Sequence, residues 1–208
     1  AWNPAADPAL EATFGSDAPG GKDACRRSLQ RVANLPEDDR PLVAMIGPFT
    51  RKNGFDLAGA ALDAIVGRGA RIIAMGDGAP EILDNFRRFA RARPLEISLV
   101  TAPREDLHRR ILAGADLLLA PARYGPGGLE HLRALRYGAL PVARRVGTLA
   151  DAIDEFDPEL GGGNGFLFAD ATPEALLSAL DRALAVLGHP EMKRRALENA
   201  MTTDVSWT

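Results

Sequence analysis

The stretch Leu42-Val43-Ala44-Met45-Ile46-Gly47-Pro48-Phe49-Thr50-Arg51-Lys52-Asn53-Gly54-Phe55-Asp56-Leu57 frames the whole chain. A short run of aliphatic residues reads as a strand buried on both faces, Gly47 and Pro48 end it, and a helical apolar period begins at Phe55. The same unit recurs outward from there. Further strands are expected at Arg71–Met75, Leu95–Val100, Asp116–Ala120 and Leu140–Ala143, with a weaker one at Gly165–Phe168. Between them lie helical patterns at Phe55–Val66, Ala79–Arg91, Arg104–Ala113 and Gly128–Tyr137. Strands alternating with helices imply right-handed crossovers and a parallel sheet covered on both faces, so the fold class is a doubly wound, Rossmann-like α/β domain.

The flanks read differently. Ala1–Gly21, with three prolines and three glycines, is expected to be an extended or looping approach segment without a packed element. A short helix follows at Lys22–Ala33, with Cys25, Leu29 and Val32 expected on one face, and Pro36–Pro41 is a charged turn. At the other end Pro173–Leu187 is entered through Thr172 as N-cap and Pro173 at the first helical position, and Glu191–Met201 forms a last helix. The chain therefore divides into an approach segment with a short helix (1–40), the Rossmann-like domain (41–188), and a terminal helix with the start of a further segment (189–208).

Composition narrows the function. The 208 residues carry 25 Lys and Arg against 28 Asp and Glu, and a net charge of −3 argues against a nucleic-acid partner, which needs a basic excess. The 21 Gly and 15 Pro fall below the roughly 25–30% of low-complexity chains. A single Cys25 cannot form an internal disulfide, no Cys/His cluster has metal-ligand spacing, and no cofactor is implied, so a reducing, cytoplasmic setting is expected. The apolar run Ile111–Ala122 is broken by Asp116 and falls short of the roughly 20 residues of a membrane span.

In open parallel sheets ligands bind beyond the carboxyl ends of the strands, at the switch point. Four loops there are candidates. Gly47–Gly54 offers Thr50, Arg51 and Lys52 before a helix, a phosphate loop or a solvated turn; Gly76-Asp77-Gly78 permits close backbone approach but lacks the third glycine of a dinucleotide fingerprint. Pro121–Glu130, with Gly125, Gly127, Gly128 and Leu129 before a helix, suits a diphosphate on free N–H groups or a tight turn packing the helix on the sheet. Arg144–Asp151 adds Thr148, with Asp151 as a cap for a short following helix. His108, His131 and His189 sit in no nucleophile or zinc motif and read as surface or helix-face residues.

Together these segments resemble the bacterial glycogen (starch) synthases, retaining two-Rossmann-domain (GT-B) glycosyltransferases. Trp2-Asn3-Pro4-Ala5-Ala6-Asp7 is similar to the family's W-N-P-x-x-D stretch, Lys22-Asp23-Ala24-Cys25 to G-K-x-x-C, Thr50 with Gly54-Phe55-Asp56-Leu57 to T-x-Q-K-G-x-D-L, and Gly76-Asp77-Gly78 to its G-x-G loop. Pro121-Ala122-Arg123, Gly128-Leu129, Arg136-Tyr137-Gly138, Gly147, Leu149-Ala150-Asp151, Gly165-Phe166 and Asp204–Trp207 extend the resemblance nearly end to end.

The resemblance implies the C-terminal, nucleotide-sugar-binding half of such an enzyme, with ADP-glucose as donor and an α-glucan as acceptor. It implies a preceding GT-B domain that is absent here, so that the chain alone is inactive. It also marks departures. The family's diphosphate-holding Arg and Lys align with Pro48 and Asn53, its acidic group near the transferred glucose aligns with Gly125, and its adenine-stacking Tyr aligns with Pro103. Glu130, more than a helical turn beyond the lost carboxylate, is expected to be a poor replacement. Each missing electrostatic group is worth about 3–4 kcal/mol of barrier, so the expected function is a catalytically degenerate domain. It keeps at most weak nucleotide or ADP-sugar binding through Lys52, Gly76, Gly78, Gly127, Gly128, Leu129 and Thr148, and serves a structural or regulatory role in glucan metabolism. The competing expectations are an active transferase with a shifted site built on Arg51, Lys52 and Arg144, and a pure interaction domain.

Overall fold

A computed structural model describes residues 2–125 and 128–204. Six strands form the sheet: β1 (Leu42–Ile46), β2 (Arg71–Met75), β3 (Ile97–Val100), β4 (Leu117–Ala120), β5 (Leu140–Arg144) and β6 (Phe166–Phe168). They are all parallel, in the order β3-β2-β1-β4-β5-β6. This is the doubly wound order whose direction reverses between β1 and β4, which places the switch point there. Helices from α1 (Gly21–Val32) to α8 (Pro190–Thr202) flank the sheet, whose strands are largely buried except for β3, where Ile97 alone is buried. The other helices are α2 (Phe55–Gly67), α3 (Pro80–Ala92), α4 (Glu105–Gly114), α5 (Glu130–Arg136), α6 (Gly147–Ala152) and α7 (Pro173–Leu187).

The two-residue period of a strand divides the core. Val43, Met45, Ile72, Ala74, Leu117 and Leu119 face α2, α3 and α7, while Leu42, Ala44, Ile73, Met75 and Leu118 face α1, α4 and the Phe14 ring. Thr172 caps α7 as expected, its hydroxyl accepting from the Ala175 N–H at 3.2 Å, with Pro173 at the first position.

Several boundaries differ from the sequence reading for identifiable reasons. The approach segment has no regular element, yet it packs: Phe14 and Asp7 are buried, and the Trp2 ring lies between the guanidinium groups of Arg109 and Arg133, 4.2 and 4.3 Å from its centroid. Val32 is exposed, because Ala33, a full step of four beyond Leu29, continues the Cys25–Leu29 stripe. Helix α5 begins at Glu130, leaving Gly128 and Leu129 outside it, as the weak helix propensity of glycine favours. Asp151 does not cap α6 but lies near its end, four residues after its first residue Gly147.

One side chain ties the layers together. The Asp116 carboxylate accepts the Leu42 N–H at 2.9 Å, pairs with Arg26 of α1, and meets the Lys193 ammonium of α8 at 3.3 Å. Its own N–H donates to Leu42 O and its carbonyl accepts from Leu140 N–H, both at 2.9 Å, so β1, β4 and β5 are set in register at this residue. Burial pushes the carboxyl up, but the Arg26 and Lys193 cations and the Leu42 N–H outweigh it and hold the group below the ordinary range. Beside it the buried Lys22 ammonium donates to Ala113 O (3.0 Å) and Tyr137 O (2.9 Å), bridging the ends of α4 and α5. Burial lowers its pKa to about 7, with Asp116 pulling the other way.

Removing one partner of a buried ion pair leaves an uncompensated charge. Asp116→Ala should lose about 3–5 kcal/mol in urea unfolding, because it strands the Arg26 guanidinium and the Leu42 N–H. An effect below about 1 kcal/mol would contradict the central place given to this carboxylate.

Candidate functional site

At the switch point the loop after β1 and the loop after β4 clasp one another. Gly54 takes φ of +74°, and a Cβ there would lie 1.9 Å from the Pro121 carbonyl oxygen, so only glycine permits the approach. The Arg123 N–H donates to Lys52 O at 2.9 Å, and its guanidinium pairs with Asp56 at 2.8 Å. The loop after β2 closes from the other side. The Gly47 N–H donates to Met75 O (3.1 Å) and the Phe49 N–H to Asp77 O (2.7 Å), while a Cβ on Gly76 would sit 1.9 Å from Gly47 O. The close approach that Gly76 and Gly78 permit is therefore made to the neighbouring β1 loop, which Gly78 meets through a bridge to Phe49.

Between these loops lies a cavity of about 300 Å³. Its walls are Ile46, Phe55, Leu118, Leu119 and Leu149 with the backbone around Gly47, Ala120 and Gly128. Pro48 and Asn53, which the resemblance in sequence sets against two cations of the family, both line it. Asn53 turns its amide back on its own loop, donating to Pro48 O at 3.0 Å. Among the described residues no Lys or Arg side chain lines this cavity; its ionisable groups are Glu130 and His131.

The remaining candidates are dispersed. Arg51 and Lys52 are exposed. The Arg144 guanidinium donates to Arg123 O (2.6 Å) and Ala169 O (3.0 Å), and the Arg123 N–H in turn holds Lys52 O. Gly125 is exposed and sits against Gly147, and Thr148 is exposed in the first turn of α6. Gly128 and Leu129 precede α5 in exposed positions, and Gly127 lies outside the described residues.

Sequence reasoning missed the histidines and misplaced Glu130. Glu130 is the first residue of α5, not one beyond its first turn, and it reaches the cavity. Its carboxylate accepts from Arg133 at 2.9 Å and meets His108 Nε2 at 2.5 Å. His131 is 3% exposed and lines the same cavity. Burial lowers its pKa, against a smaller opposing pull from Glu130, so the imidazole is neutral at pH 7. No spacing in the sequence could link residues 108 and 130, since only the placement of α4 and α5 on one face of the sheet brings them together.

Beside the cavity, Pro103 lines a shallower hollow of about 350 Å³ with Trp2, Met75, His108 and Arg133. Asp7 fixes the approach segment there, accepting from the Tyr137 hydroxyl and from Arg109 at 3.1 Å. Burial raises its pKa, but these hydrogen bonds and the Ala9 N–H outweigh that and keep the carboxyl below its usual value.

A parallel six-stranded sheet with a cavity at its switch point defines a domain of the doubly wound class, whose members bind ligands at that place. Comparison sharpens this. The sequence profile of the glycosyl transferases group 1 matches residues 26–202. The chain is 42% identical over 208 residues to a glycogen synthase of Anaeromyxobacter dehalogenans and 37% identical over 207 to one of Syntrophotalea carbinolica, covering 44% and 43% of those proteins. It superposes on the catalytic domain of starch synthase IV from Arabidopsis thaliana, solved with ADP and acarbose, with a TM-score of 0.92 at 29% identity, over 99% of this chain and 44% of that one. The chain thus belongs to the group 1 glycosyl transferases, as a glycogen- and starch-synthase-like domain with the fold of a GT-B C-terminal half. It spans less than half the length of these relatives.

The loop clasp is a strict steric requirement. Gly76→Ala should destabilise the chain by at least about 2 kcal/mol in urea unfolding, whereas Gly128→Ala, where an added Cβ meets nothing within 4 Å, should change it by less than about 0.5 kcal/mol.

Proposed function

We propose that this chain is the donor-side half of a two-domain glycosyltransferase in which the nucleotide site has lost its charges, so that the domain retains its fold without transferring sugar. The observation that carries this reading is the lining of the switch-point cavity. Pro48 and Asn53 occupy it where the resemblance places two cations, and Glu130 adds an acidic group to the same lining. A diphosphate needs fixed positive charge, because its desolvation is otherwise uncompensated. The role left to such a domain is structural or regulatory in glucan metabolism, in partnership with an N-terminal GT-B domain of the kind that the length of its relatives supports. A buried, thiol-bearing Cys25 fits a cytoplasmic setting. An active transferase with a shifted site is less favoured, since it needs Arg51, Lys52 and Arg144 to meet on one anion in the cavity, and none of the three lines it.

Isothermal titration of the chain with ADP and with ADP-glucose tests the reading. Dissociation constants weaker than about 1 mM are expected for both, and a micromolar constant for either would overturn it.

A further inference from the structure

At the amino ends of the strands a second cavity, of about 280 Å³, opens beside the Asp116 seam and is bordered by Gly20 and Pro190 at the starts of α1 and α8. Lys22, Arg26, Lys193 and Arg194 line it, with two carboxylates, Asp116 and Asp23. Arg194 is engaged by Glu191 and Glu198 of its own helix, and Asp23 is exposed. The inner balance is therefore three cations to one carboxylate, and that carboxylate is fully used. Its Oδ2 takes Arg26 and the Leu42 N–H, and its Oδ1 takes Lys193.

Lys22 is the cation left over. An ammonium carries three N–H groups, and this one donates to two carbonyls, with the Phe14 ring 5.6 Å from Nζ. Among the described residues no carboxylate pairs with it. Arg26 Nε is likewise buried without an acceptor. Donors outnumber acceptors in this seam, and surplus positive charge out of water is costly unless a counter-ion meets it. Burial is the main cause of the low Lys22 pKa of about 7, with the Lys193 and Arg26 cations adding to it and Asp116 and Cys25 opposing it. Neither α1 nor α8 has a side-chain cap, so the positive dipole ends of two helices border the same space. We propose that this cavity binds a doubly charged tetrahedral oxyanion such as inorganic phosphate, held between Lys22 of α1 and Lys193 of α8. The site lies at the opposite end of the sheet from the switch-point cavity, so the proposal is independent of what that cavity binds.

The test is an NMR titration of the 208-residue chain with sodium sulfate in low-chloride buffer, followed through the backbone amides, with inorganic phosphate titrated afterwards at a single pH. Sulfate is the first probe because it stays a dianion while Lys22 titrates. Saturable shifts are expected at Gly20, Gly21, Glu191 and Met192, with a dissociation constant below about 1 mM for either ion. Sulfate should bind about tenfold more tightly at pH 6 than at pH 8, since an amine with a pKa of about 7 is mostly charged at the first and mostly neutral at the second. Lys22→Met should remove that pH dependence, and His189→Gln, at the N-cap of α8, should keep it. Lys193→Gln, at a half-buried position, should weaken sulfate binding about tenfold and decides the matter if Lys22→Met does not fold. Shifts at Asn53 and Gly54 in the same spectra report an anion at the switch point. The proposal is overturned if the four amides do not move, if only Asn53 and Gly54 move, if Lys22→Met keeps the pH dependence, or if Lys193→Gln binds as the parent does.

Discussion

The buried carboxylate of Asp116 is the constraint on which the rest depends. It stands where β1, β4 and β5 begin, and it satisfies the Leu42 N–H while holding α1 through Arg26 and α8 through Lys193. A carboxylate so deeply buried is tolerable only with that set of partners. Each partner, in turn, fixes an element: α1 against α4, α8 beneath β5, and the register of three central strands. Lys22, one turn from Arg26, extends the same polar seam to the ends of α4 and α5. The seam lies at the amino ends of the strands and so sets the positions of their carboxyl ends, where the loops meet.

At those carboxyl ends shape and charge rest on different features. The clasp of Gly54 on Pro121, of Gly76 on Gly47 and of Arg123 on Lys52 needs backbone geometry and small residues, and all of it is present. Among the described residues, no cation that would give a diphosphate its counter-charge lines the cavity. Fold stability depends on the first set of features and nucleotide affinity on the second, so a chain can lose one without the other. Glu130 sits at the junction, lining the cavity while its carboxylate engages His108 and Arg133, two groups that also pack on Trp2 of the approach segment.

Much of the fold was legible because strong periodic signals met clear breakers. Leu42–Ile46, Arg71–Met75 and Pro173–Leu187 match expectation to the residue, the last because Thr172 and Pro173 specify their own positions. The start of α5 was misjudged because Gly128 was counted into the helix although it lacks the side chain to stabilise one, and the helix begins at Glu130. The packing of the approach segment was invisible, since Trp2 and Asp7 act through Arg109, Arg133 and Tyr137, more than a hundred residues away. Of the candidate site, the lining loops, Pro48 and Asn53 among them, were legible from their place after strands. The contributions of Glu130, His131 and His108 were not, because a lone histidine on a helix carries no signal until the sheet order places it.

The central claim is that two side chains, not the scaffold, separate this site from nucleotide binding. Its most direct test is ADP titration of the double variant Pro48→Arg, Asn53→Lys, two cavity-lining positions, neither of them in the core. Two charge-assisted contacts of about 1.5–3 kcal/mol each predict a gain in ADP affinity of at least about a hundredfold over the parent chain. A folded double variant that binds ADP no better than the parent would contradict the account.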